Sequence, residues 1–115
     1  MVVVIFEVYP KEENKQEYID IASKLSAVLA KVDGFISVER FSSIQNPNKL
    51  LSLSFWENEE AVENWRNEAM HRSGQASGLH HIFSDYRIRV GNVTRDYSLE
   101  NREHAPKDSN KFHKL

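Results

Sequence analysis

The sequence predicts an α+β domain of ferredoxin-like type, a β-α-β-β-α-β run with four strands in one antiparallel sheet and both helices on one face. Three observations predict it. Four stretches are rich in β-branched and aromatic residues at strand spacing. Two stretches between them repeat apolar residues at helical spacing. The second and third strands are separated only by a short turn built on Asn46-Pro47-Asn48, which reads as a hairpin. At 115 residues the chain holds one domain with one core.

The first strand spans residues 2–9. Val2, Val4, Phe6 and Val8 form one row; Val3, Ile5 and Tyr9 form the other, interrupted by Glu7. A strand apolar on both faces needs a cover on each. Pro10 closes it, because proline has no amide to give to a ladder. The first helix runs from residue 12 to about residue 32. Tyr18, Ile21, Ala22, Leu25, Val28, Leu29 and Val32 make its apolar stripe, and Gly34 is a stop signal. In the second strand, residues 35–43, Ile36 and Val38 share a face with Arg40, while Phe35 and Phe41 share the other with Ser37 and Glu39.

The third strand, residues 50–56, alternates Leu51, Leu53 and Phe55 with Ser52 and Ser54, which gives one clearly apolar face. Asn58 then suits a helix N-cap, and Glu59 and Glu60 place negative charge at the positive end of the helix dipole. Ala61, Val62, Trp65 and Ala69 share one face of this second helix. It is expected to end near residue 71, since Gly74 and Gly78 each cost about 1 kcal/mol relative to alanine. Residues 72–84 read as a helix end, a loop and a further turn. The fourth strand, residues 85–93, alternates Tyr86, Ile88 and Val90 with Arg87 and Arg89. The folded domain is thus expected over residues 1–94. Residues 95–115 read as a polar tail, mobile in isolation, with Tyr97, Leu99 and Phe112 as its apolar attachment points.

Composition excludes several functions. A net charge of −2, with arginines interleaved among acids, gives no field for nucleic acid. The absence of cysteine removes disulfides, thiolate metal sites and a cysteine nucleophile. No apolar run approaches the roughly 20 residues that span a bilayer. A soluble, cytoplasmic protein with no membrane partner is expected. The two helices cover only one sheet face. The remaining apolar row, with Val3, Ile5, Phe35 and Phe41 among its members, needs another cover, and a second copy of the chain is the simplest one. A homodimer packed sheet to sheet is therefore expected.

The stretch from Leu53 to Trp65, with Phe55-Trp56-Glu57, Ala61 and Trp65, resembles the signature of the antibiotic biosynthesis monooxygenase superfamily. The segment Gly34-Phe35-Ile36-Ser37-Val38-Glu39 and the order of elements are similar too. The resemblance implies a dimeric α+β barrel. It also implies one of three activities: cofactor-independent oxygenation of anthrones or quinol-like aromatics, oxidative haem degradation, or, in a more distant branch, isomerisation of small signalling sugars. In the first, the substrate loses a proton and itself supplies electrons to dioxygen. The haem-degrading relatives use an asparagine on strand one, a tryptophan on helix two and a histidine about ten residues later. Here Trp65 matches, strand one carries Glu7 and no asparagine, and Gln75 stands ten residues after Trp65.

The chemistry of the residues narrows the choice. His71, His80, His81, His104 and His113 make no metal signature, and no cofactor is implied. His71 is the candidate general base or hydrogen-bond donor, because an ordinary histidine titrates near pH 6.5. It lies six residues from Trp65, roughly 240° around an ideal helix. Trp65 is either a core anchor or the wall of a pocket. Tyr86 or Arg87 would hydrogen-bond a developing oxyanion, and strand alternation lets only one of them point inward. Glu7 and Glu39 are either functional carboxylates or, more often for such residues, partners of arginines such as Arg40, Arg87 and Arg89 across the sheet; those arginines could also hold an anionic substrate oxygen. The expected function is a cofactor-independent monooxygenase using dioxygen on a small aromatic, phenolic or quinol-like molecule. The alternatives are a haem-degrading enzyme and a non-enzymatic dimeric protein that binds a small ligand. Since two of three haem positions fail, titration with haem is expected to give no saturable shift of the Soret band. Saturable one-to-one binding, followed by decay with ascorbate and oxygen, would restore the haem branch.

Overall fold

The computed structural model describes residues 1–75 and 82–113, with side chains for 1–68 and 82–111. Its elements run β1 (Val2–Pro10), a 3-10 turn (Glu12–Asn14), α1 (Lys15–Leu29), β2 (Phe35–Ser42), β3 (Leu50–Trp56), α2 (Glu59–Gln75), β4 (Phe83–Asn92) and α3 (Lys107–His113). The strands form one sheet in the order β2-β3-β1-β4, with every neighbouring pair antiparallel. This is the ferredoxin-like α+β arrangement that the sequence predicts. Among the described residues, no helix is long and apolar enough to cross a membrane.

The cap of α2 forms as its sequence dictates: the Ala61 amide donates to Asn58 Oδ1 at 2.9 Å. The helix nevertheless runs through Gly74 to Gln75, beyond the expected end near residue 71. Helix α1 ends three residues early, at Leu29, and tightens there: the Lys31 and Val32 amides reach back three residues to Val28 and Leu29. Gly34 then enters β2 with φ at +85°, a left-handed conformation that glycine adopts without penalty. Its carbonyl accepts from the Glu57 amide at 2.8 Å, which ties the entry of β2 to the end of β3.

Strand register decides which residues the helices cover. Val2, Val4, Phe6 and Val8 of β1 stand level with Trp56, Ser54, Ser52 and Leu50 of β3. Buried Val2, Trp56, Leu29 and Ala61 form a core at one end of this face. Buried Val8, Tyr18, Ala22 and Ile82 form a second core at the other end. Serines therefore occupy the centre of the helix-covered face. The apolar row Leu51, Leu53 and Phe55 points to the helix-free side, beside Val3 and Ile5. Phe35 departs from expectation. A bulge between Phe35 and Ser37 shifts the register by one residue, which turns Phe35 to the helix side and against Trp56. Phe41 stays on the helix-free side, opposite Leu51.

The helix-free face also carries an ion cluster. Glu7 meets Lys49 Nζ at 3.0 Å and the Arg89 guanidinium at 3.0 Å. The Lys49 ammonium, hydrogen-bonded to Glu7, holds its carboxyl below the ordinary 4.5, and the nearby Arg89 acts in the same direction against partial desolvation. Beyond β4 the chain folds on itself. Arg102 donates to Asn110 Oδ1 (2.9 Å), to Ser109 Oγ (3.2 Å) and to the Ser98 carbonyl (3.2 Å), and lies 5.1 Å from the Tyr97 ring centre.

Two outcomes follow from these contacts. Gly34→Ala puts a methyl group 2.7 Å from Ala61 Cβ and forces a left-handed alanine, so a loss of about 1–3 kcal/mol is expected in urea unfolding. Glu7→Gln should lower stability at neutral pH. Because the folded pKa of Glu7 is depressed, its contribution is present above about pH 4.5 and fades as pH falls through the folded value. The gap in unfolding midpoint between the two proteins should therefore close on acidification below that point.

Candidate active site

Small side chains at the middle of the helix-covered face leave room above them. Between the two halves of the core lies a cavity of about 190 Å³. Ser52, Ser54, Phe6 and Val38 form its floor on the sheet, and Ile21, Ala22, Leu25 and Leu29 of α1 roof it. Trp56 and Trp65 close one end; Tyr18 and Phe83 line it towards the other. A larger residue at Ser52 or Ser54 would fill this space, so the cavity is written into the serine row of β3.

The indole end is tightly fixed. Trp56 is only 1% exposed, and its ring nitrogen donates to Ser54 Oγ at 2.9 Å, which satisfies both buried polar groups. Its ring meets Phe35 edge to face, with centroids 5.4 Å apart, and stacks on Trp65 at 6.5 Å with 30° between the planes. Trp65 is thus held from α2 by a partner on the sheet. The opposite end is also aromatic. Phe83 packs edge to face against Tyr18 at 5.5 Å and against Phe6 at 6.1 Å.

Polar groups in the lining are few. Arg40 of β2, paired opposite Ser52, is exposed at the edge of the cavity and donates to Ser26 Oγ at 3.0 Å and to the Ala22 carbonyl at 3.4 Å. Ser26 in turn donates to that same carbonyl at 2.9 Å. Tyr18 is buried, which pushes its hydroxyl pKa above the ordinary 10; the Arg40 charge and hydrogen bond partly oppose the rise. The Tyr18 hydroxyl is therefore neutral at physiological pH, a donor and an acceptor but a poor base.

The site residues read from the sequence fall in different places. Trp65 lines the cavity. Tyr86 lies on the helix-covered side of β4, half exposed, with its ring 5.9 Å from Phe6 and 6.1 Å from Phe83; it flanks the aromatic end without lining the cavity. Arg87 stands opposite Glu7, on the helix-free face, because it alternates with Tyr86. His71 belongs to α2, and its side chain, like His80 and His81, lies outside the described residues. Tyr18, Ser52 and Ser54 were legible only as helix stripe and strand alternation. Arg40 carried a clearer signal, a cation in the same row as Val38. Among the described residues no group of three or more His, Asp or Glu side chains is placed to hold a metal ion.

The family model for antibiotic biosynthesis monooxygenase matches residues 1–77. The jasmonate monooxygenase ABM of Pyricularia oryzae is 42% identical over 94 residues, covering 82% of this chain and 44% of that protein. The chain thus spans less than half the length of this relative. Among solved structures, Rv0793 from Mycobacterium tuberculosis matches with a TM-score of 0.73 at 14% identity, over 84% of this chain and 98% of that one. A MhuD R26S mutant with two manganese protoporphyrin IX bound per active site matches with a TM-score of 0.68 at 16% identity, over 85% and 99%. At these identities the two structures share the fold.

Ser54→Ala leaves the buried Trp56 N–H without an acceptor, so a destabilisation of about 1–3 kcal/mol is expected in urea unfolding. Adding Trp56→Phe to that variant removes the orphaned donor. The pair should therefore cost less than the sum of the two single changes.

Proposed function

The chain belongs to the antibiotic biosynthesis monooxygenase family, and on that footing we propose that it is a cofactor-independent monooxygenase acting on a small aromatic, phenolic or quinol-like molecule. The observation that carries the reading is the mostly apolar cavity with its two stacked indoles. An aromatic ring slides against an indole face with little loss of side-chain entropy and with favourable ring–ring geometry. The cavity is smaller than the roughly 300 Å³ at which pockets for drug-sized ligands begin, so it suits one or two fused rings better than a porphyrin.

The chemistry balances without a cofactor. A substrate with an acidified CH₂ group loses a proton, and the resulting carbanion passes electrons to dioxygen. In the net reaction R₂CH₂ and O₂ give R₂C=O and H₂O; one oxygen atom enters the product and the other leaves with the two substrate hydrogens. The protein's part is to hold the ring, exclude water and stabilise the anion. Trp65 and Trp56 supply the wall, and His71 on α2 is the proposed base.

A second reading is favoured by the 42% identity to the jasmonate monooxygenase, namely a jasmonate-like substrate in the same cavity. We further propose that two copies pair through the helix-free face, where Leu51, Leu53, Phe55, Val3 and Ile5 gather.

Oxygen uptake with anthrones, quinols and jasmonate, read with isotopically labelled dioxygen, is expected to place one labelled atom in the product. Trp65→Ala should lower turnover by tenfold or more. Unchanged turnover in both Trp65→Ala and His71→Ala, with the assembly intact, would sink the assignment. Leu53→Asp should convert a dimer to monomers in sedimentation.

A further inference from the structure

We infer that Arg40, with Tyr18 beside it, is the anchor for an anionic oxygen on an otherwise apolar ligand. This rests on the reading of the cavity as the substrate site and names the chemical class that the site takes: a monoanion, phenolate or carboxylate, on a body of one or two rings.

Four observations lead there. Arg40 is the sole charged side chain among the described residues that line the cavity. Its hydrogen-bond acceptors, Ser26 Oγ, the Ala22 carbonyl and the Tyr18 hydroxyl, are all neutral. No described carboxylate lies within ion-pair distance of it, although acids were close at hand. Glu39, its neighbour in sequence, stands opposite Leu53 on the other sheet face, and Glu7 is engaged by Lys49 and Arg89 on that same face. Alternation along β2 thus separates Arg40 from the acid next to it. A guanidinium carries five N–H donors in a fixed fork, and two are accounted for by α1. Tyr18 takes a further one, and because Arg40 is exposed the remaining donors are hydrated and open to a ligand at the cavity.

Tyr18 completes the anchor. Burial keeps its hydroxyl neutral, so it can accept from Arg40 and donate to a bound oxyanion. A tie between β2 and α1 would need only a neutral donor at position 40. A cation bonded to neutral acceptors retains its charge for something else. In the proposed reaction that charge does chemical work, because a cation beside the substrate oxygen favours its ionised form and so prepares the molecule to give electrons to dioxygen.

The test uses three probes of one shape: para-nitrophenol, para-nitrobenzoate and the neutral para-nitroanisole. Binding is read by quenching of tryptophan fluorescence, and ionisation of the bound phenol by its visible absorbance. The two anions are expected to bind about tenfold or more tightly than para-nitroanisole. Bound para-nitrophenol should ionise about one pH unit or more below the free compound. Arg40→Gln should abolish both effects while leaving para-nitroanisole binding in place. Arg40→Lys should retain part of the preference, and Ser26→Ala most of it. Preference for only one of the two anions supports the anchor and fixes the oxygen type as phenolate or carboxylate. Equal binding of all three probes, or an anion preference that survives Arg40→Gln, overturns the anchor and leaves the cavity reading standing. Binding of none of them overturns both. If Arg40→Gln does not fold, Arg40→Met decides in its place: loss of the preference supports the anchor and its survival overturns it.

Discussion

The Trp56 indole, buried at the end of β3, is the constraint from which the rest of the site follows. A ring of that size with an N–H cannot be buried without an acceptor, and Ser54 supplies one two residues earlier on the same face. That requirement fixes a serine in the middle of a core-facing row, where a strand would otherwise carry Val, Ile or Leu. The small residue satisfies the indole and also leaves space under α1. Trp56 further sets the position of α2, because Trp65 stacks on it and Ala61 packs in the same cluster. The close approach of Ala61 to Gly34 then accounts for a glycine at the start of β2. One polar atom in a large apolar ring thus couples strand, helix, turn and cavity.

Elements were legible in the sequence where the signal is local. The period-2 and period-3.6 patterns locate all four strands and both long helices, and Asn58 announces its own cap. Faces were less legible, because a face depends on partners far away in the chain. The most apolar row of β3, Leu51, Leu53 and Phe55, looks like the core row but lies away from the helices, and the serine row is the one they cover. Nothing within seven residues can reveal this; the choice is made by Trp56, which has the largest apolar area to bury. The Phe35 bulge is invisible for the same reason, since a one-residue shift of register leaves the local pattern intact. Residues 107–113 escaped notice as a helix because no apolar stripe marks them. Hydrogen bonds from Arg102 to Ser109 and Asn110 hold that segment instead.

The site was half legible. Trp65 could be named from its size and its place on α2, and it lines the cavity. Arg87 could be named from its charge, but alternation places it with Glu7 on the other side of the sheet. The two arginines differ in their surroundings more than in their sequence signal. On the helix-free face, Arg89 meets Glu7 at 3.0 Å in a cluster open to water, where such pairs contribute little. On the helix side, Arg40 is also exposed, but it bonds only neutral oxygens.

Separating charges between the two faces gives the sheet two different surfaces. One joins an apolar row to an ion cluster in which Glu7 is paired with Lys49 and Arg89 within the chain. The other holds a small, mostly apolar space with a single cation at its side. A fold shared by enzymes of several chemistries cannot by itself choose among them. The choice is made by the few side chains that set volume and charge, here Ser52 and Ser54 for size, Trp56 and Trp65 for shape, and Arg40 with Tyr18 for charge. Enlarging Ser52 would fill the cavity without touching the Trp56–Ser54 bond, and adding an acid beside Arg40 would neutralise it while leaving the cavity open. Ser52 and Arg40 can therefore be varied to change size and charge, whereas Ser54 and Trp56 are tied to the stability of the core by their buried hydrogen bond.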